Sequence, residues 1–461
     1  VVSHPATPIH GLRDAQQRWA ALAIDERLRV VRRVRALLAQ DAGQLARASA
    51  AARGRDPGEA LTAEVLPLLA ACRFLEKNAG RILRAKRFGW FGRPLWLTGM
   101  RSEIRREPLG VILIIGPGNY PLLLPGVQMI QALVAGNAVI LKPGVGGRAV
   151  AGLWIELLHR AGIERGLIQL LPESVGAGVA AIDAGPDKVL FTGSAAVASN
   201  VLAQLAPRMI PAVIEASGSD AAILCTDADP ELCLNALVFA LTFNAGATCM
   251  APKRILIHRD LLPSFRLRLI AALAATQASP PIQLGPRLRE LVDQAIDTGA
   301  RVLTAAPLLL EHVAPDSPLW REDLFGAIAL VGSFASDAEA AALANDCPYA
   351  LSASVFSRSQ ARANRLASEL SVGVVTLNDV IVSTADPRLS FGGRRRSGFG
   401  ATRGAEGLLE LTSAKAITRT RGRQRRAYQS VSASDFRWLL RFMRLAHGMG
   451  LRQRLGHTRE K

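Results

Sequence analysis

Cys249 lies in FNAGATCMAPKR, immediately before the apolar run RILIH (254–258). Its small neighbours leave the sulfur approachable, and their backbone N–H groups can stabilise negative charge on or beside it. Taken alone, the same residue also reads as a satisfied core cysteine. Glu215, in VIEASGSD, stands between strand-like residues and a glycine-containing turn, where partial desolvation would raise its pKa toward the range of a general base. Its plainer reading is a solvated or ion-paired carboxylate, and spacing alone does not bring it to Cys249. Asn119, in IIGPGNYP, follows a buried strand and precedes a helix, so its amide either donates to a developing oxyanion or caps that helix or bonds the turn. Thr192, Gly193 and Ser194 form a strand-to-helix turn that can present N–H groups to phosphate oxygens. Lys142 ends its own strand, where it meets a ribose or phosphate or is simply solvated. Neither glycine turn completes a Gly-x-Gly-x-x-Gly fingerprint.

The elements that must position these residues are α/β in pattern. VILII (111–115), AVILK (138–142), LIQLL (167–171) and KVLFT (188–192) are apolar runs separated by helix-length segments, as in a parallel sheet covered on both faces. AVIEA (212–216), AAILC (221–225) and RILIH continue the series. RVLTA (301–305), AIALVGSF (327–334), ASVFS (353–357) and GVVTLN (373–378) supply a second set, interleaved with Ala-rich helices near 336–345 and 359–370. Upstream, Leu28, Val31, Val34, Leu37 and Leu38 recur at helical spacing. Two extended pieces, about 91–98 and 101–106, flank Thr98-Gly99 and predict a hairpin that needs a partner to stand.

With 461 residues, 49% hydrophobic and 20% charged, the chain is globular and holds two or three domains. Five scattered cysteines without a Cys-x-x-Cys pair exclude a disulfide framework and give no sign of structural zinc, predicting a reducing compartment. The uncharged stretch Val111–Leu141 is long enough to span a bilayer, but Pro117, Pro121, Pro125 and four polar amides make it strand, turn, helix and strand instead. Of the net charge of +18, +11 falls between Lys415 and Lys461, where thirteen Lys or Arg face Asp435 and Glu460. A basic tail on a nearly balanced body suggests local attachment or assembly rather than a general nucleic-acid surface. Ser432 and Asp435 have capping-box spacing, predicting a helix through DFRWLLRFMRLAHG with a wide apolar arc and an arginine face.

Seven blocks in order, PGNYP, GNAVILKP, FTGS, VIEASG, NAGATC, EDLFG and SFGGRRRSGFG, make residues 12 to 418 closely resemble the aldehyde dehydrogenase superfamily. In length and in its NAGATCMAP block the chain looks most like the shorter branch that oxidises aromatic and long-chain aldehydes. The resemblance implies Cys249 as nucleophile, Glu215 as base and Asn119 as oxyanion amide. It implies Lys142 facing the adenosine ribose, Thr192, Gly193 and Ser194 beside nicotinamide and pyrophosphate, and Asp323 and Phe325 in the nicotinamide-ribose block. Departures from the family pattern are Asp323 for Glu, one methylene shorter; Val145 for an acidic residue, admitting NADP beside NAD; Gly118 for Trp, widening the pocket; Ala247 for Gln; and Arg396 for Lys.

The implied fold is α/β and aldehyde dehydrogenase-like. Residues 1–87 and 108–217 form the nucleotide-binding domain, 218–411 the catalytic domain, 88–107 with 412–430 a small β bridging region, and 431–461 a basic amphipathic extension. The implied function is NAD(P)-dependent oxidation of an aldehyde to its acid through a cysteine thiohemiacetal and thioester. An acylating or reductive enzyme and a noncatalytic scaffold are the alternatives. Homodimers or dimers of dimers are expected in the cytoplasm, with the tail docked on protein or, as the alternative, on a membrane surface; nucleic acid is the least favoured partner.

Overall fold

The computed structural model describes residues 9–94, 97, 99–276, 284–420, 428 and 430–448. The apolar runs become strands because each is shielded on both faces: Val111–Ile115 is buried throughout and Ala138–Lys142 is buried up to its final lysine. They belong to a six-stranded sheet ordered Gly398–Phe399, Ala212–Ala216, Lys188–Gly193, Val111–Ile115, Ala138–Lys142, Ile168–Leu170. All pairs are parallel except the antiparallel edge strand Gly398–Phe399. Chain order runs outward in both directions from the pair Val111–Ile115 and Lys188–Gly193, so the topological switch lies between them. Ligands of open α/β sheets bind beyond the carboxyl ends of strands at such a point.

A seven-stranded sheet follows, ordered Arg301–Ala305, Leu308–Glu311, Ile328–Phe334, Arg254–His258, Ala221–Leu224, Ser352–Phe356, Val374–Leu377. It is parallel apart from its first pair, an antiparallel hairpin with a register shift at Val302/Thr304. Leu308–Glu311 falls outside the expected strand set, although it is buried along its whole length. Helices close both faces: Ile24–Gln40 buries Val30, Val31, Val34 and Leu38, the stripe its spacing dictates. These two sheets, with residues 9–84 and 106–415, form one compact unit.

A second unit holds residues 85–105 and the chain from 416 onward. Its three-stranded sheet is ordered Lys86–Phe88, Met100–Pro108, Thr412–Thr420. The expected hairpin is therefore corrected. Its first strand is Lys86–Phe88, pairing antiparallel with Ser102–Ile104, and not 91–98. Trp90 and Phe91 are 70% and 83% exposed with their rings in tilted contact, Gly92 turns at φ 71°, and Pro94 has no N–H for a ladder. Thr98 lies outside the described residues. So do the basic stretch RGRQRR and everything after Gly448. The capping box is present: Ser432 Oγ accepts from the Asp435 N–H at 3.2 Å and the Asp435 carboxylate accepts from the Ser432 N–H at 3.1 Å, opening helix Ala433–His447.

Candidate active site

Cys249 sits on a loop after helix Pro230–Thr242 and before strand Arg254–His258. Three consecutive residues of this loop take left-handed backbone: Asn244 (φ 52°), Ala245 (φ 51°) and Gly246 (φ 67°). For Ala245 this conformation costs free energy and persists only because the surroundings fix it. At Gly246 a Cβ would lie 2.6 Å from Ala327 Cα, so glycine lets this loop reach the EDLFG segment. Lys253, almost fully buried, ties the same two segments by donating to Gly246 O at 2.9 Å and Gly326 O at 2.5 Å. Burial lowers this ammonium to about 8 against the opposing pull of Asp323 and Asp220.

Asn119 is buried and reaches the loop directly, its Nδ2 donating to Ala247 O at 2.9 Å. Asn244 Nδ2 donates to Asn119 O (3.1 Å) and Ala247 O (3.2 Å), and Tyr120 Oη shares a 2.6 Å hydrogen bond with Thr248 Oγ1. The capping role weighed for Asn119 is taken by a distant residue. Helix Leu123–Ala135 has no side-chain cap of its own, and Glu64 accepts from the N–H groups of Leu122 (2.7 Å) and Leu123 (2.8 Å). Glu64 also binds Arg55 and Ser49, and Arg55 donates to Asn244 Oδ1 at 3.1 Å. A chain of hydrogen bonds thus runs from the helical corner 49–64 to the thiol loop.

Glu215 lies in strand Ala212–Ala216, in register with Thr192 on one side and Gly398 on the other. Its side chain is buried, Oε2 accepts from Thr402 Oγ1 at 3.0 Å, and Oε1 has no partner. Burial raises its pKa, while Arg403 and Thr402 oppose the rise. Cys249 is partly exposed as a residue, yet desolvation is the main cause holding its thiol well above the usual range. The charges of Glu215 and Asp220 add to this and Arg403 works against it. Cys249 and Glu215, separate in sequence, are therefore within each other's electrostatic reach.

Cys249 opens into a cavity of about 450 Å³. Leu66, Tyr120, Leu123, Leu124, Phe239, Phe243, Ile381 and Val382 line most of it, with Arg403 as its charged member. Gly118 does not line this cavity. A Cβ there would point at Val145 O, 3.2 Å away, and one at Gly144 would strike Pro117 C at 2.3 Å. The glycine expected to widen the pocket instead lets two strand-end loops pack together.

The cofactor candidates fall into two groups. Lys142 and Thr192-Gly193 end strands that flank Val111–Ile115, and Ser194 caps helix Ala195–Leu205 through its Oγ. This combination of strand ends, switch point and helix N-terminus suits a dinucleotide phosphate. Val145 on the loop after Ala138–Lys142, Val175 at the start of helix Val175–Asp183 and Val197 in helix Ala195–Leu205 are exposed apolar side chains. Asp323 is hydrogen-bonded to Ser217 Oγ, and its buried Oδ1 has no partner, an acceptor free for a ribose hydroxyl. Phe325 beside it is 42% exposed. The residues fit the group. The carboxylate missing at Val145 has a local substitute in Glu173, which accepts from Gly146 N (2.9 Å) and Arg148 N (2.8 Å) and attracts Lys142. Sequence spacing gave no sign of Glu173, Arg55, Glu64, Asn244 or Arg403.

Comparison with known proteins agrees with this geometry. Residues 9–417 match the Aldehyde dehydrogenase family. A 4,4'-diapolycopene aldehyde oxidase from Methylomonas sp is 31% identical over 414 residues, covering 86% of this chain and 77% of that protein. A succinate semialdehyde dehydrogenase [NAD(P)+] from Escherichia coli K12 is 29% identical over 436 residues, covering 89% and 91%. Among solved structures, an indole-3-acetaldehyde dehydrogenase of P. syringae in complex with NAD+ superposes with a TM-score of 0.82 at 25% identity, covering 89% of this chain and 88% of that one. The chain therefore belongs to the aldehyde dehydrogenase family and is an NAD(P)-dependent oxidoreductase acting on aldehydes.

Proposed function

We propose that Cys249, Glu215 and Asn119 carry the oxidation of an apolar aldehyde to its carboxylic acid. The observation that supports it is a partly exposed cysteine that lines an apolar cavity and lies within electrostatic reach of a buried, half-unpartnered carboxylate. Cys249 Sγ, as thiolate, adds to the aldehyde carbon, and the carbonyl oxygen takes the negative charge. Asn119 uses one amide hydrogen to fix the loop and retains a second for that oxyanion. The chemistry that bound NAD or NADP supplies is hydride acceptance, which converts the Cys249 adduct to a thioester. Lys142, Thr192, Gly193, Ser194, Asp323 and Phe325 would hold the dinucleotide. Glu215 then takes a proton from water, the water oxygen adds to the thioester carbon, and the C–S bond breaks to release acid and thiolate.

In this reading residues 1–87 and 108–217 are the nucleotide-binding domain, 218–411 the catalytic domain, and 88–107 with 412–430 a bridge buried in a homodimer or dimer of dimers. The 431–461 extension docks on protein or, alternatively, on an anionic membrane. No residue of helix Ala433–His447 is buried, and Trp438 and Met443 are exposed beside Arg437, Arg441 and Arg444. Among the described residues no helix is long and apolar enough to cross a membrane. Sedimentation with anionic and neutral liposomes, comparing the whole chain with one ending at Gln429, separates the two sites of docking.

The enzymatic reading is tested by incubating the full chain with aliphatic and aromatic aldehydes and each dinucleotide, with and without coenzyme A. NAD(P)H formation without coenzyme A, yielding the free acid, is expected. Strict dependence on coenzyme A indicates the acylating enzyme, and no reduction with any aldehyde overturns the reading.

A further inference from the structure

Among the described residues lining the Cys249 cavity, Arg403 alone is charged. Its guanidinium is fixed from two sides: Nη1 donates to Thr384 O at 2.7 Å, and the group stacks 4.3 Å from the centroid of the Phe391 ring. Among the described residues no carboxylate lies within ion-pair distance of it, and its Nε is buried without an acceptor. Leaving a charged donor buried and unmatched costs stability, so a guanidinium held this way calls for a role beyond packing. The next residue back in the chain, Thr402, holds one oxygen of Glu215, whose other oxygen is buried without a donor. The backbone at 402–403 thus brings a hydroxyl to the carboxylate and a fixed positive charge to the cavity wall.

That charge acts on both reacting groups, favouring the ionised forms of Cys249 and Glu215. The other titratable groups facing Cys249 are Glu215, Asp220, Lys253 and Tyr120. The two carboxylates oppose thiolate formation. Lys253 favours it, with two of its three donors taken by Gly246 O and Gly326 O. Arg403 is the cation that lines the cavity and acts on both Cys249 and Glu215.

We propose that Arg403 is a positioning residue for the reacting pair, a fixed charge at the cavity wall that lets thiolate Cys249 and ionised Glu215 exist side by side. The inference rests on reading these two residues as nucleophile and base. It assigns Arg403 to the reacting end of the cavity and not to recognition of an acid group on the substrate.

The test is the pH dependence of Cys249 alkylation by iodoacetamide, followed by peptide mass spectrometry on the full chain without aldehyde or dinucleotide. Wild type, Arg403→Lys and Arg403→Leu are compared, with thermal melting to verify each fold. Arg403→Leu should move the alkylation midpoint up by about one pH unit or more, slowing alkylation about tenfold at a pH below both midpoints. Arg403→Lys should restore most of the rate. If Arg403→Leu does not fold, Arg403→Gln keeps a donor for Thr384 O without the charge and takes its place. Superimposed profiles for folded charged and uncharged variants overturn the proposal. So does an unchanged profile accompanied by a raised KM confined to aldehydes bearing a carboxylate. The assay is independent of turnover. A shifted profile in a protein that oxidises no aldehyde would retain this role and sink the enzymatic reading, and an active enzyme with superimposed profiles would do the reverse.

Discussion

Two buried glutamates bracket the site, and their surroundings differ. Glu64, in the helical corner 49–64, accepts from two backbone N–H groups, a serine hydroxyl and an arginine. Glu215, in the six-stranded sheet, accepts from a single threonine hydroxyl and keeps one oxygen unmatched. A carboxylate with every lone pair used is an architectural part, since any proton or water would have to displace a partner. One left half-satisfied and destabilised as an anion is available to take a proton. The first glutamate fixes where Asn119 and the thiol loop stand, and the second is left free for the reaction they set up.

This contrast gives opposite expectations for the two sites. Glu64→Ala strands the Leu122 and Leu123 N–H groups and leaves the buried Arg55 with only its longer 3.8 Å contact to Glu59, which should cost about 3–5 kcal/mol in denaturant unfolding. A loss below about 1 kcal/mol would break the comparison. Glu215→Gln should behave in the reverse sense. Because burial raises the folded-state pKa above the ordinary 4.5, the stability Glu215 contributes is complete below pH 4.5 and is lost as pH rises through the folded value. Unfolding measured at pH 5 and pH 8 should show Glu215→Gln gaining on wild type as pH rises, and a pH-independent difference would contradict the assignment.

A smaller effect is expected at the strand ends, where charges are more exposed. Glu173→Gln removes the carboxylate beside Lys142 and should raise kcat/KM for NADP relative to NAD by roughly fivefold, equivalent to about 1 kcal/mol. Val145→Glu should lower the same ratio. If neither substitution moves it at fixed ionic strength, electrostatics at this loop does not set cofactor choice.

Much of this arrangement is legible from local pattern, for a physical reason. Continuous runs such as VILII and RILIH are buried on both faces, so composition alone marks them, and RILIH forms strand Arg254–His258. Reading 91–98 as strand failed at Phe91, where a positive-φ glycine and a proline follow and the ring is left on an exposed turn. The groups that tune the site are illegible because their contacts span the chain. Arg55 meets Asn244 across 189 positions and Thr402 meets Glu215 across 187. No spacing rule reaches that far. Likewise Gly118, read as a widened pocket, has its cause in the close approach of Val145 O, a contact set by two loops folding together.

The central claim is that Cys249 forms the acyl intermediate and Glu215 clears it. Rapid mixing of Glu215→Gln with an aldehyde and the preferred dinucleotide, followed by intact-protein mass spectrometry, tests both halves together. The account predicts a burst approaching one equivalent of NAD(P)H, a slow or absent steady rate, and an acyl adduct mapped to Cys249, with neither burst nor adduct in Cys249→Ala. An undiminished steady rate in Glu215→Gln, or a burst that survives in Cys249→Ala, would contradict it.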